Sequence, residues 1–499
     1  VLAGGATVAL WQAQRAAQEQ LRAEAVNDFI AAIFREANPY ARGGKPVMAL
    51  ELLRDAERRI AEQQDLQPDA RIELQLIVGE SLIKLQDTES AARVLGAVAR
   101  EADALLGEAD PLLVRAWLGL SRARGFRGEV RTAHSALATT LKRIRIAKLE
   151  NTELHVEALL QQAALALDEA KHDDAERAAL VAYRAAAEVI GMESAAACSA
   201  AQLLGMVYRL KGRSDLALRY SQEAYEIALR VQSDNIIHPD VIDATMGYGR
   251  ALLGAGQFHR GLEKTRQATR DAIAVFGRDS LMAGHFLAAL AVAEVETGAP
   301  TDAVQNARRA LEILLSHRQP GTVDHASRVR WLGRALLEAG RGDEATSVLN
   351  DALTLARQSQ DRAGEQSVQV SRAAAIVESG QRLDVANALL TEVLTEGAAL
   401  APLTRLCALN QLGTSRRKQG RLGEARAALN EAVQLAGDEG RSRVELAKIM
   451  LEQHSTNRAL GDTTTAPMAL KTAISLLEQP HVPSSPLLAH ARAQLGSPQ

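Results

Sequence analysis

A turn residue recurs at one register through most of this chain, at Gln86, Gly128, Ala170, Gly212, Gly256, Gly298, Gly340, Gly380 and Gly420. The intervals are 42, 42, 42, 44, 42, 42, 40 and 40 residues, and seven of the nine positions are glycine. A second register runs five residues later: Ala91, Ala133, Ala175, Ala217, Gly261, Ala303, Ala345 and Ala425 are all small, with Val385 the exception. A fixed period of this length marks a unit that cannot bury its apolar face alone and stacks on copies of itself. That pattern constrains the chain more than any local propensity: 499 residues become an elongated array rather than one core.

The stretch over residues 196–229 reads as helix, turn, helix and holds the most regular unit, whose first position is Cys198. Leu204, Gly205, Tyr208, Gly212, Ala217 and Ala224 occupy its positions 7, 8, 11, 15, 20 and 27. This is the tetratricopeptide (TPR) signature. Gly205 and Ala217 mark the closest approach of helices A and B. Gly212 ends helix A in a left-handed conformation, and Ser214 and Asp215 are read as the cap and first-turn charge of helix B. The surplus of the 42-residue period over the usual TPR unit has to lengthen helices or linkers. Linkers such as Leu106-Gly107-Glu108-Ala109-Asp110-Pro111 and Ile237-His238-Pro239-Asp240-Val241 resemble those of the long-repeat, kinesin-light-chain-like subclass. The expected fold is all-α, a right-handed superhelical solenoid of about nine tandem TPR-like pairs over residues 67–437. A divergent helix pair and a cap are expected over 438–499.

Upstream of the array, residues 1–11 (VLAGGATVALW) are apolar and read as the C-terminal end of a transmembrane helix; residues 12–66 read as a juxtamembrane helical adaptor. In the adaptor Val26, Phe29, Ile30, Ile33 and Phe34 form a helical stripe that stops at Asn38-Pro39. An apolar end, then an "RAEAV-x-x-F" helix, an Asn-Pro break and an "ELL" helix ending in Arg59-Ile60, resembles the C-terminal region of bacterial transmembrane serine/threonine protein kinases. The resemblance implies a sensor or docking arm attached to the inner membrane, with the array in the periplasm. Kinase activity would belong to a domain that this sequence does not contain. A TPR region of a soluble or DNA-binding transcriptional regulator, in the cytoplasm, is the alternative.

No motif for catalysis, cofactor or metal is present in the sequence. Gly247-Tyr248-Gly249 falls on repeat positions, with no strand before it. His317 and His325 flank a Pro-Gly turn on a linker, and Asp173-Asp174 opens a helix. Cys198 and Cys407, nearly five periods apart, read as buried small residues and not as a disulfide. The chain carries 58 Lys and Arg against 61 Asp and Glu, both signs interleaved, which argues against nucleic acid. A surface remains. Positions 5, 9 and 12 or 13 of helix A face the concave side of a TPR array, which here means Gln202, Met206, Arg209, Met246, Arg250, Arg330, Arg334, Asn410, Arg417 and Lys418. Their balance is basic, suited to an acidic or carboxylate-bearing protein or peptide ligand.

Overall fold

The computed structural model describes residues 49–63, 66–85, 87–232, 237–317, 321–397, 400–436, 443–478 and 486–495, together with 20, 22–24, 26–29 and 31. The apolar stretch 1–11, most of the adaptor helix and the Gln86 turn lie outside the described residues. Among those described there is no strand, and no helix is long and apolar enough to cross a membrane.

The turn glycines other than Gly380 close a helix in one way. Gly212 sits at φ +72°, and the next amide, Arg213 N–H, donates back to the Tyr208 carbonyl at 2.8 Å. The same bond recurs from Glu129 to Arg124, Gln257 to Leu252, Ala299 to Glu294, Arg341 to Leu336, Arg421 to Arg416 and Asp462 to Asn457. It satisfies a carbonyl orphaned by the helix end and turns the chain straight into helix B. Ser214 therefore does not cap. Arg213 holds the cap position, and the buried Ser214 hydroxyl donates to the Gly254 carbonyl at 3.0 Å, joining one pair to the next.

Among the described residues helices A and B alternate around nine turns, the last of them at Gly461 (φ +74°) between Arg443–Ala459 and Thr465–Leu477. The long period lies mainly in the helices: 16 residues in Ala195–Leu210 and 18 in Ser214–Val231. The two 40-residue intervals have separate causes. Between Gln358 and Arg362 the linker shrinks to three residues, and Leu383–Leu394 is only 12 residues long. At Gly380 one extra residue enters the turn, with Arg382 at φ +52°. The close-approach site consequently moves from Val385 to Ala386, which is fully buried. The exception in the small-residue register is thus a local insertion.

The chain forms two compact units. The first comprises residues 1–169 and 184–190 and is centred on Ile60, Ile72, Leu76, Leu95 and Leu113, with a satellite core around Leu118, Ile144 and Leu165. The second comprises 170–183 and 191–499, with a series of small cores, one per pair or two. Within it, Leu253, Phe258 and Ala293 share one apolar cluster with Ala447, Leu477 and Leu488. Within each unit helix contacts run in order: A helices pack on their B helices, B helices on the next A helix, and A helices on the A helix of the following pair. That last contact lines up the A helices of a unit as one face.

Candidate functional site: the groove of the second unit

The A helices of the first unit carry arginines that are already used. Arg115 donates to both Glu80 carboxylate oxygens at 2.8 and 2.6 Å, Arg71 pairs with Glu101, and Arg122 lies 3.4 Å from Glu157. The second unit differs. The side chains of Arg209, Arg250, Arg330 and Arg334 make no ion pair or hydrogen bond with any described residue. They nevertheless influence one another. Arg250's charge, and then burial, push the Arg209 guanidinium down to about 9, with Glu296 opposing. Burial, and then the neighbouring Arg334, push Arg330 down to about 10. Unpaired guanidinium groups crowded in this way gain by accepting an anion.

Arg330 lies 4.5 Å from the centroid of the Trp331 ring and Arg334 lies 6.0 Å from it, so the indole braces both. Arg334 reaches a cavity of about 350 Å³ between the A helices Val323–Glu338, Arg362–Ser379, Pro402–Lys418 and Arg443–Ala459. Glu338, Glu378, Asn410, Gln411 and Lys448 share its wall. Two polar atoms there are buried without a partner: Arg334 Nε, a donor, and Asn410 Oδ1, an acceptor. Asn410 is only 6% exposed, and an acceptor left without a partner at such a site costs about 1–3 kcal/mol. A donor and an acceptor presented together match the two faces of a peptide group.

The remaining groove residues divide. Met206 is 41% exposed, and Gln202 beside it is half-buried with Nε2 unpartnered. Met246 does not face a ligand. It is buried with Ile242, Ala268, Ala272 and Phe286, because the next A helix brings Phe286 into the same cluster. Arg417 donates from Nε to Glu452 at 3.0 Å, and Lys418 donates from Nζ to the Val377 carbonyl at 2.7 Å, capping the preceding A helix. Both charges are therefore occupied. Cys198 is buried, its thiol donating to the Ala224 carbonyl, whereas Cys407 is only half-buried and borders the cavity beside Glu445. Burial holds both thiols up at about 12, which keeps them protonated and unreactive. His317 and His325 are each engaged locally, with the Ile313 carbonyl and the Gly321 amide. Among the described residues no group of three His, Cys, Asp or Glu is arranged to hold a metal ion.

One set of groove residues escaped the sequence reading. Glu296, Glu338 and Glu378 stand at position 13 of three successive A helices, all exposed and none in an ion pair within the described residues. The signal was available: each lies two residues before a turn glycine, in Glu-Thr-Gly, Glu-Ala-Gly and Glu-Ser-Gly.

Stacked helix pairs with glycine turns and a groove lined by A helices define a TPR-like repeat protein. A tetratricopeptide repeat is matched over residues 408–439. No curated protein matches the chain. Among solved structures, NprR in complex with its cognate peptide NprX is similar at 11% identity, over 74% of this chain and 99% of that one, with a TM-score of 0.50. A Rap protein complexed with competence and sporulation factor is similar at 13% identity, over 81% and 97%, with a TM-score of 0.48. The nearly identical TPR-like repeats of a putative kinesin light chain from Podosopora anserina are similar at 18% identity, over 40% and 95%, with a TM-score of 0.32. At these identities the likeness is one of fold.

Proposed function

We propose that this chain is a non-catalytic scaffold that holds an extended protein or peptide segment in the groove of its second unit. The observation that carries the reading is the set of unmet groups there: four arginines without partners, and Asn410 Oδ1 and Arg334 Nε buried and unsatisfied at one cavity. Asn410 and Arg334 would take a ligand peptide group, and Arg330 and Arg334 a carboxylate. The NprR fold holding its peptide supports this use of stacked helix pairs.

The test is selection of a displayed random-peptide library on the purified chain, followed by calorimetric titration of the selected peptides. Replacing Arg330→Glu and Arg334→Glu together should weaken binding at least about tenfold, since a hydrogen bond to a charged group contributes about 1.5–3 kcal/mol. Undiminished binding would return these arginines to the solvated surface.

The motif run over residues 22–60 supports the further reading that this scaffold is the sensor or docking arm of a membrane-bound bacterial serine/threonine kinase, beyond the inner membrane. The upstream coding sequence tests it. Kinase motifs and an apolar stretch completing a span are expected. A DNA-binding domain there would instead make the chain the regulatory region of a transcription factor.

A further inference from the structure

The three position-13 carboxylates are placed where helix stability alone would not put them. Glu296, Glu338 and Glu378 occupy the last turns of the A helices ending at Thr297, Glu338 and Ser379. The C-terminal end of a helix carries the negative pole of the macrodipole, so an anion there is unfavourable and a cation favourable. The next pair follows the favourable rule: Lys418 holds the same position and donates to the Val377 carbonyl. Three consecutive departures form a column of like charge, because these A helices touch one another in sequence order. The column ends at the cavity, whose wall includes Glu338, Glu378, Arg334 and the buried, unpartnered Asn410. Glu445, on the opposite side, is already paired with Lys448 at 2.8 Å. The unpaired charge lining the cavity is therefore one guanidinium and two carboxylates. A purely acidic ligand would satisfy Arg334 but be repelled by Glu338 and Glu378.

We infer that the groove takes a bipolar extended segment, with an acidic group on the Arg330/Arg334 side and basic side chains spaced along the opposite edge to meet Glu296, Glu338 and Glu378. This deepens the peptide-binding reading and rests on it. The spacing follows from the stack. Packed helices lie about 8–10 Å apart, and a segment in the polyproline II conformation advances about 3.1 Å per residue with about three residues per turn, so basic side chains three residues apart fall on one edge and keep step with the column. Asn410 fixes the backbone between the two edges, and Lys418 closes the column at its far end.

Fluorescence polarisation at low salt tests this with four labelled synthetic peptides of equal length and the same neutral background. One has lysine at every third position and an aspartate on the other edge; one has the same residues with lysine at every second position. The third carries only acidic residues at every third position, and the fourth is neutral. The third-position lysine peptide should bind about tenfold tighter than each of the others. In the Glu338→Gln/Glu378→Gln double variant that advantage should shrink to about twofold, while the acid-only peptide binds as well as before or better. Both side chains are exposed, so the variant should keep its helical circular dichroism. Two results would overturn the inference: the acid-only peptide binding the unmodified chain as tightly as the bipolar one, or the double variant retaining the full advantage. No measurable binding of any of the four would overturn the peptide reading as well, which separates the two failures.

Discussion

Gly247 and Gly249 lie two residues apart in the helix Pro239–Gly254, and the packing predicts opposite effects of the same substitution. A methyl group added at Gly247 meets nothing within 4 Å. Gly247→Ala then changes only the backbone preference, and alanine is favoured over glycine in a helix interior by about 0.5–1 kcal/mol. At Gly249 the added Cβ would lie 2.8 Å from Thr265 Oγ1, 3.0 Å from the Thr265 amide nitrogen and 3.1 Å from the Gly261 carbonyl oxygen. Two of these atoms are backbone, so relief requires the helix Phe258–Phe276 to shift. Overpacking of this kind costs about 1–3 kcal/mol, leaving a net loss of about 0.5–2 kcal/mol after the helix-propensity gain. Stacked repeats open locally, so one global melting curve is a poor readout. Native-state hydrogen exchange over the two helices reports the local opening free energy. Gly247→Ala should slow exchange there about two- to fivefold, and Gly249→Ala should speed it by about two- to thirtyfold. Equal effects of the two variants, or protection gained at Gly249→Ala, would refute the assignment of Gly249 to the A–B contact.

Other substitutions test neighbouring points. Ala170 sits at φ +56° where most turns carry glycine; Ala170→Gly should raise the protection of the helix Glu153–Asp168 by about 0.5–1 kcal/mol, and a loss would contradict the strain argument. Ala386→Leu should destabilise the Arg362–Ser379/Leu383–Leu394 pair by about 1–3 kcal/mol while Val385→Leu is nearly silent, and the reverse order in exchange rates would restore the simple five-residue register. Glu294 is 2% exposed and accepts a hydrogen bond from Asn306 at 2.8 Å, and burial raises its pKa above the usual carboxylate range. A raised carboxylate stabilises the fold most when protonated, below the unfolded pKa, and that contribution is lost as pH rises through the folded value. As pH rises from the ordinary carboxylate range, about 4, Glu294→Gln should therefore lose less stability than the unmodified chain, and parallel pH profiles would count against it.

The residues that were legible in the sequence are those whose role is set inside one repeat. At Gly212 and most of its counterparts the following amide bonds to a carbonyl five residues earlier, so a single unit reveals them. Val385 misled because one inserted residue, invisible to a fixed period, shifted the contact to Ala386. The groove was less legible for a different reason. Whether an A-helix side chain is free depends on what adjoining repeats place beside it. Phe286 joins Met246 in a core cluster, Glu452 takes Arg417 and the Val377 carbonyl takes Lys418, all from other pairs. The carboxylate column occupies position 13, where the expected groove residues included only Lys418.

If the groove of the second unit holds a peptide, Asn410 is kept polar for that ligand and not for the fold. Asn410→Leu, close in size, removes the unsatisfied Oδ1 from a 6%-exposed site, and its two consequences should diverge. Local stability of the helix Pro402–Lys418, by hydrogen exchange, should hold or rise by up to about 1–3 kcal/mol, while affinity for a library-selected peptide should fall at least about tenfold. A drop in stability with binding unchanged would contradict the account: Asn410 would then serve the packing, and the ligand would sit elsewhere.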